Sequence, residues 1–97
     1  MTSQQVIKIT KALADPTRFR ILQTIATARE SCCGELARDF PITQATVSQH
    51  LKVLAEAGLV EARREGQFNY YRMRREVFDE YQRTLATALV GTPSRIS

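Results

Sequence analysis

Apolar residues recur at helical spacing over most of the chain and switch to strict alternation in one region only. Val6, Ile7, Thr10 and Leu13 share one side of a helix predicted over Gln4–Leu13. Asp15-Pro16 opens a second helix, running to about Ala28. Asp is a favoured N-cap, and proline at the first helical position gives up a donor that would be unpaired anyway. Phe19, Leu22, Ile25 and Ala26 form its expected inner face. A short third helix is predicted over Cys33–Phe40, with Leu36, Ala37 and Phe40 on one side and Pro41 as its stop. Thr43 caps a fourth helix that extends to Ala57 and carries Val47, Leu51 and Leu54 at i, i+4 and i+7, with Gly58 as its C-terminal stop. Beyond Gly58 the period falls from 3.6 to 2, which predicts strands over Leu59–Arg64 and Gln67–Met73 joined at Glu65-Gly66. Tyr71 and Met73 face inward on the second strand. A fifth helix over Arg75–Val90 aligns Phe78, Tyr81, Leu85 and Leu89, and Gly91–Ser97 reads as a frayed tail.

Helix, tight turn, helix and basic hairpin, in that order, make a functional unit. A helix-turn-helix needs apolar residues to brace its second helix, and Leu36, Ala37, Ile42, Val47 and Leu51 supply them. Counting about 100° per residue, Ala45, Gln49, Lys52 and Glu56 lie opposite the braced side, flanked by Gln44, Thr46 and Ser48. Short polar residues there can approach base edges: Gln bonds adenine in two places, Ser and Thr bond any base, and alanine or threonine methyls meet the thymine methyl. The same residues would also suit an ordinary solvated helix. The hairpin tips the balance, because Arg63, Arg64, Arg72, Arg74 and Arg75 outnumber Glu61, Glu65 and Glu76. Arginine on a projecting ribbon suits phosphate and minor-groove contacts, although a charged edge can equally serve to block aggregation. The predicted partner is double-stranded DNA. Gln44, Thr46, Ser48 and Gln49 would read bases, while Lys52, Arg63, Arg64 and Gln67 position the backbone. Thr43 and His50 complete the expected contact set.

Composition narrows the field without deciding it. Ninety-seven residues suit a single domain, here 1–97, and 43% apolar with 25% charged residues is an ordinary globular balance. A net charge of +4 fits a polyanionic partner. No stretch approaches the roughly 18 apolar residues of a membrane helix, and the first residues lack a secretory pattern, so a cytoplasmic protein is expected. Enzyme equipment is thin: one histidine, no Ser/His/Asp set, no phosphate-cradling glycine loop and no Cys-x-x-Cys. A winged module that binds protein instead of DNA is the other class of function this pattern permits.

The motifs resemble those of the ArsR/SmtB family of winged-helix repressors. Ala12-Leu13-Ala14-Asp15-Pro16-Thr17-Arg18-Phe19-Arg20-Ile21-Leu22 resembles its second-helix opening, and Thr46-Val47-Ser48-Gln49-His50-Leu51-Lys52-Val53-Leu54 its recognition helix. Ala57-Gly58-Leu59-Val60 resembles the entry to its wing, and Gly66-Gln67-Phe68-Asn69-Tyr70-Tyr71-Arg72-Met73 the wing's return strand. The resemblance implies an α+β, mostly helical, winged helix-turn-helix: five helices with a two-stranded β-hairpin wing. It also implies a homodimer whose seam is built from helices 4–13 and 75–90, binding an inverted repeat with recognition helices about 34 Å apart. Repression would be released by a signal. Where the family usually has glycine in the turn, this chain has Pro41, which cannot adopt positive φ, so the turn must take another form.

Many family members sense arsenite or metal through Cys-x-Cys at the start of the third helix. Here Cys32 matches the first family cysteine, Gly34 replaces the second, and Cys33 stands between them. The last helix has none of the histidines of the family's other metal site. No cofactor is required by the reading. Two neighbouring thiols leave arsenite or a soft metal short of ligands, and a vicinal disulfide is strained because adjacent α-carbons lie only about 3.8 Å apart. A helix N-terminus is expected to lower a thiol pKa. Structural packing, binding of arsenite or a soft metal ion, and redox sensing at Cys32 and Cys33 all stay open.

Overall fold

The computed structural model describes residues 1–28 and 30–90; the tail read over Gly91–Ser97 lies outside the described residues. Five helices and three short strands follow in the order α1 Ser3–Leu13, α2 Pro16–Thr27, β1 Ser31–Cys32, α3 Cys33–Asp39, α4 Gln44–Glu56, β2 Val60–Glu65, β3 Phe68–Met73 and α5 Arg75–Val90. Local capping explains the boundaries. Asp15 accepts the Arg18 N–H at 2.8 Å to start α2, and Thr43 accepts the Thr46 N–H at 3.1 Å to start α4. The end of α4 is a Schellman motif: Leu59 N–H returns to Leu54 C=O and Gly58 N–H to Ala55 C=O, both at 3.0 Å. Gly58 holds φ +84° there, a conformation that a side chain would strain.

The wing's hairpin turns over Gly66 and Gln67, with Gly66 at φ +62°, and Glu65 pairs with Phe68. It is wider than the two-stranded wing that alternation predicts. Ser31 and Cys32 pair antiparallel with Tyr71 and Tyr70, giving a three-stranded sheet in the order β1-β3-β2. Two residues are too few for any period to register.

The core gathers Ile9, Ile21, Ile25, Leu36, Val47, Leu51, Leu54 and Leu59, all fully buried. Two predicted inner faces need correction. In α1 the buried side is Val6, Ile9 and Ala12, while Ile7 is 53% exposed. In α2 it is Ile21, Leu22 and Ile25, while Phe19 is 45% exposed. Each helix carries two adjacent apolar sides, and packing selects the one facing its neighbours. On α5 only Tyr81 is buried, and Leu89, at the far end of the predicted stripe, is 78% exposed. Tyr81 fixes α5 against α1. Thr10 donates to Val6 C=O at 2.8 Å, so the 2.8 Å contact between the two hydroxyls is donated by Tyr81. Among the described residues, no helix is long and apolar enough to cross a membrane.

Candidate nucleic-acid interface

The turn between α3 and α4 is built around Pro41. Ile42 N–H closes on Phe40 C=O at 2.8 Å, a three-residue turn with proline at its centre. No residue in it has positive φ, so proline meets the turn by a route that needs no glycine. Leu36 of α3 is buried in the same cluster as Val47 and Leu51 of α4, so the short helix braces the longer one from behind.

The opposite side of α4 is free of the core. Gln44, Ala45, Ser48, Gln49, Lys52 and Glu56 are all exposed. Thr43 and Thr46 are exposed too, but their hydroxyls face each other at 3.0 Å and belong first to the helix cap. His50 is different: half-buried, with Nδ1 3.3 Å from a guanidinium nitrogen of Arg18. It touches α2 from a recognition-helix position.

A groove of about 720 Å³ separates the start of α4 from the wing. Gln44, Ala45 and Ser48 line one side, Gln67, Asn69 and Tyr71 the other. Side chains alternate along β3, so Asn69, Tyr71 and Met73 share one face, which cross-strand pairing extends to Arg64, Ala62 and Val60. Arg64 therefore stands on the sheet face that looks onto α4. Its Nε donates to Gly66 C=O at 3.2 Å, and among the described residues it meets no carboxylate.

Arg63 points to the other face and is fully engaged. It donates to both oxygens of Glu30 at 3.1 and 2.9 Å and to Glu65 at 2.5 Å, with its guanidinium 5.0 Å from the centre of the Tyr70 ring. That pairing holds the Glu30 carboxyl below its ordinary range. Arg72 is bonded to Glu61, and Arg74 to Glu76 at 3.0 Å. The arginine-rich ribbon is thus largely neutralised on its outer face, which the count of charges alone conceals. Sequence reasoning missed Glu30, whose approach to Arg63 depends on the unforeseen β1, and it missed Arg18.

Cys32 and Cys33 open onto the same groove, beside Gln44 and Tyr71. Cys33 Sγ lies 4.0 Å from Gln44 C=O. The expectation of a lowered thiol pKa does not hold for Cys33: burial pushes it up, neighbouring Cys32 adds to the rise, and the contact with Gln44 only partly opposes it. A helix of seven residues has a weak dipole, and the Glu35 carboxylate, accepting from Cys32 N–H at 3.2 Å, already occupies its N-terminus. Among the described residues, no three His, Cys, Asp or Glu side chains come together as a metal shell.

Comparison with known proteins agrees with this geometry. A helix-turn-helix domain family matches residues 13–63. The chain is 32% identical to an arsenical resistance operon repressor of Staphylococcus xylosus, over 88% of this chain and 81% of that one. Among solved structures, an ArsR-like transcriptional regulator from Rhodococcus superposes with a TM-score of 0.85 at 27% identity, covering 96% of this chain and 87% of its own. A homodimeric winged helix-turn-helix DNA-binding domain from Mycobacterium bovis does so with a TM-score of 0.73 at 33% identity, covering 94% and 84%. The order of elements, the braced recognition helix with its wing and these likenesses lead to one conclusion: the chain belongs to the ArsR family of winged helix-turn-helix transcriptional regulators.

Proposed function

We propose that the chain is a sequence-specific repressor that binds double-stranded DNA as a cytoplasmic homodimer, with no catalytic step. The observation that carries this reading is the bare polar side of α4, facing the same groove as the inner face of the wing. A helix presented in this way fits a major groove, and two of them related by a dyad fit an inverted repeat with half-sites about 34 Å apart. On this proposal Gln44, Ser48 and Gln49 read base edges, and Lys52, Gln67 and Arg64 contact the backbone.

The division of labour within the wing supplies the test. Each phosphate neutralised contributes about −0.9 to the slope of log affinity against log salt. Arg64→Ala is expected to flatten the slope by about that much per half-site and to weaken all sequences alike. Arg63→Ala is expected to leave the slope unchanged, since Glu30 and Glu65 already balance that cation. Gln44→Ala is expected to cost about 1–3 kcal/mol at one base pair while sparing random duplex. Fluorescence anisotropy across a salt series measures all three. Wild-type protein indifferent to duplex at low salt would leave the protein-binding module as the answer. Equal slope losses for Arg63 and Arg64 would overturn their assigned roles.

A signal acting at the groove is favoured by the position of Cys32 and Cys33 on its wall. We propose that arsenite, a soft metal ion or an oxidant at these thiols releases DNA by altering the space between α4 and the wing. Two thiols from one chain leave a metal short of ligands, so the rest come from a partner chain, a small thiol or water. With the Cys33 thiol held protonated by burial, a soft metal ion must displace its proton, so metal binding strengthens as pH rises, whereas arsenous acid takes each thiol proton away as water and carries no such dependence. Gel shifts with arsenite, cadmium and peroxide, on wild type and on Cys32→Ser and Cys33→Ser, decide the matter. If no agent weakens the wild-type complex, the thiols serve packing alone.

A further inference from the structure

Arg18, in the first turn of α2, joins three helices. Its Nε donates to Ala12 C=O at 2.6 Å, one terminal nitrogen to Lys11 C=O at 3.3 Å, and the other faces His50 Nδ1 at 3.3 Å. The carbonyls of a helix's last turn have no partner within the helix. Arg18 therefore caps α1 with the same group that reaches the recognition helix.

That contact dictates the chemistry of the ring. A guanidinium has five N–H donors, no acceptor, and keeps its charge. A ring nitrogen facing it must present a lone pair, which places the proton of neutral His50 on Nε2. No described side-chain N or O is both buried and unpartnered, and Nε2 makes no bond within the described residues, so that N–H meets solvent. His50 is half-buried and lies one turn after exposed Thr46 on the same face, at the edge of the exposed side of α4.

We propose that Arg18 is a positioning residue for DNA binding: it holds α4 against the end of α1 and orients His50 so that its Nε2–H donates to a DNA phosphate oxygen. The inference rests on the DNA-binding reading above and adds to it a residue outside the helix-turn-helix. A half-buried site beside the reading face suits the backbone better than a base edge.

The chain has a single histidine, so long-range proton–nitrogen NMR of imidazole reads this ring alone. With the ring neutral, wild type is expected to show the Nε2–H tautomer only, and Arg18→Met the mixture of a free ring. The two amides separate the ring's two jobs, since an Asn amide reaches the place of Nδ1 and a Gln amide that of Nε2. His50→Gln is expected to stay within about threefold of wild type for duplex. His50→Asn should lose about tenfold or more, the worth of a hydrogen bond to a charged group. Neither should change the salt slope, because a neutral donor releases no counterion. An Nδ1–H ring in wild type, or His50→Asn binding as tightly as wild type, overturns the proposal. Should wild type ignore duplex altogether, the DNA reading and the phosphate contact fall together, while the tautomer still tests the Arg18 contact by itself.

Discussion

Leu51→Ala is expected to lower the melting temperature by roughly 10–40 °C at fixed protein concentration, far more than any substitution on the outer side of the same helix. Leu51 is fully buried where α4 meets the helices behind it. Truncating a buried leucine costs about 2–5 kcal/mol, from lost transfer energy and from the cavity left behind. A domain of this size shifts by about 4–8 °C per kcal/mol. Ser48→Ala, three residues earlier and exposed, is the control and is expected to stay within about 0.5 kcal/mol. The contrast bears on function because α4 holds its angle through its buried side, where Leu51 lies between Val47 and Leu54 and packs in one cluster with Leu36 of the seven-residue α3. Calorimetry of both variants, with duplex titrations at a temperature where both are folded, checks it. Similar melting points would mean that α4 is not braced through Leu51.

Much of this arrangement was legible because its signals are local. Asp15-Pro16, Thr43 and Gly58 set the ends of α2 and α4 within a residue, and α5 spans Arg75–Val90 as its stripe predicts. The reading side of α4 followed from counting angle away from Val47. What failed were choices made by distant parts of the chain. Ile7 and Ile9 both lie on apolar sides of α1, and only the position of α5 and α2 decides that Ile9 is the one enclosed. Arg63 and Arg64 are neighbours of the same type. Nothing local reveals that Glu30, across the sheet, engages one and leaves the other without a carboxylate. The cysteine pair was found by its spacing, but thiol acidity was read from a helix terminus, and at Cys33 it is governed instead by burial.

The exposed apolar residues of α1 and α5 lead to the largest effect expected on DNA. Tyr81, Leu85, Phe78 and Leu89 fall within about 80° of one another around α5, by the helical repeat. Cover fades along this stripe, from buried Tyr81 through half-buried Phe78 and Leu85 to Leu89. On α1, Ile7 lies next to the Thr10 side that bonds Tyr81, so its exposed surface adjoins that stripe. Such a continuous half-covered surface suits a second copy of this chain. Ile7→Glu combined with Leu89→Glu touches only exposed positions, so each chain is expected to keep its fold while the pair separates. Losing the partner removes the effective concentration that links the half-sites, a loss of roughly 10²–10⁴ in affinity for the full operator with little change for a single half-site. The melting temperature should also cease to depend on protein concentration. Analytical ultracentrifugation alongside binding to full and half operators reads these together. A double variant that sediments as a dimer would place the seam elsewhere and withdraw α1 and α5 from it.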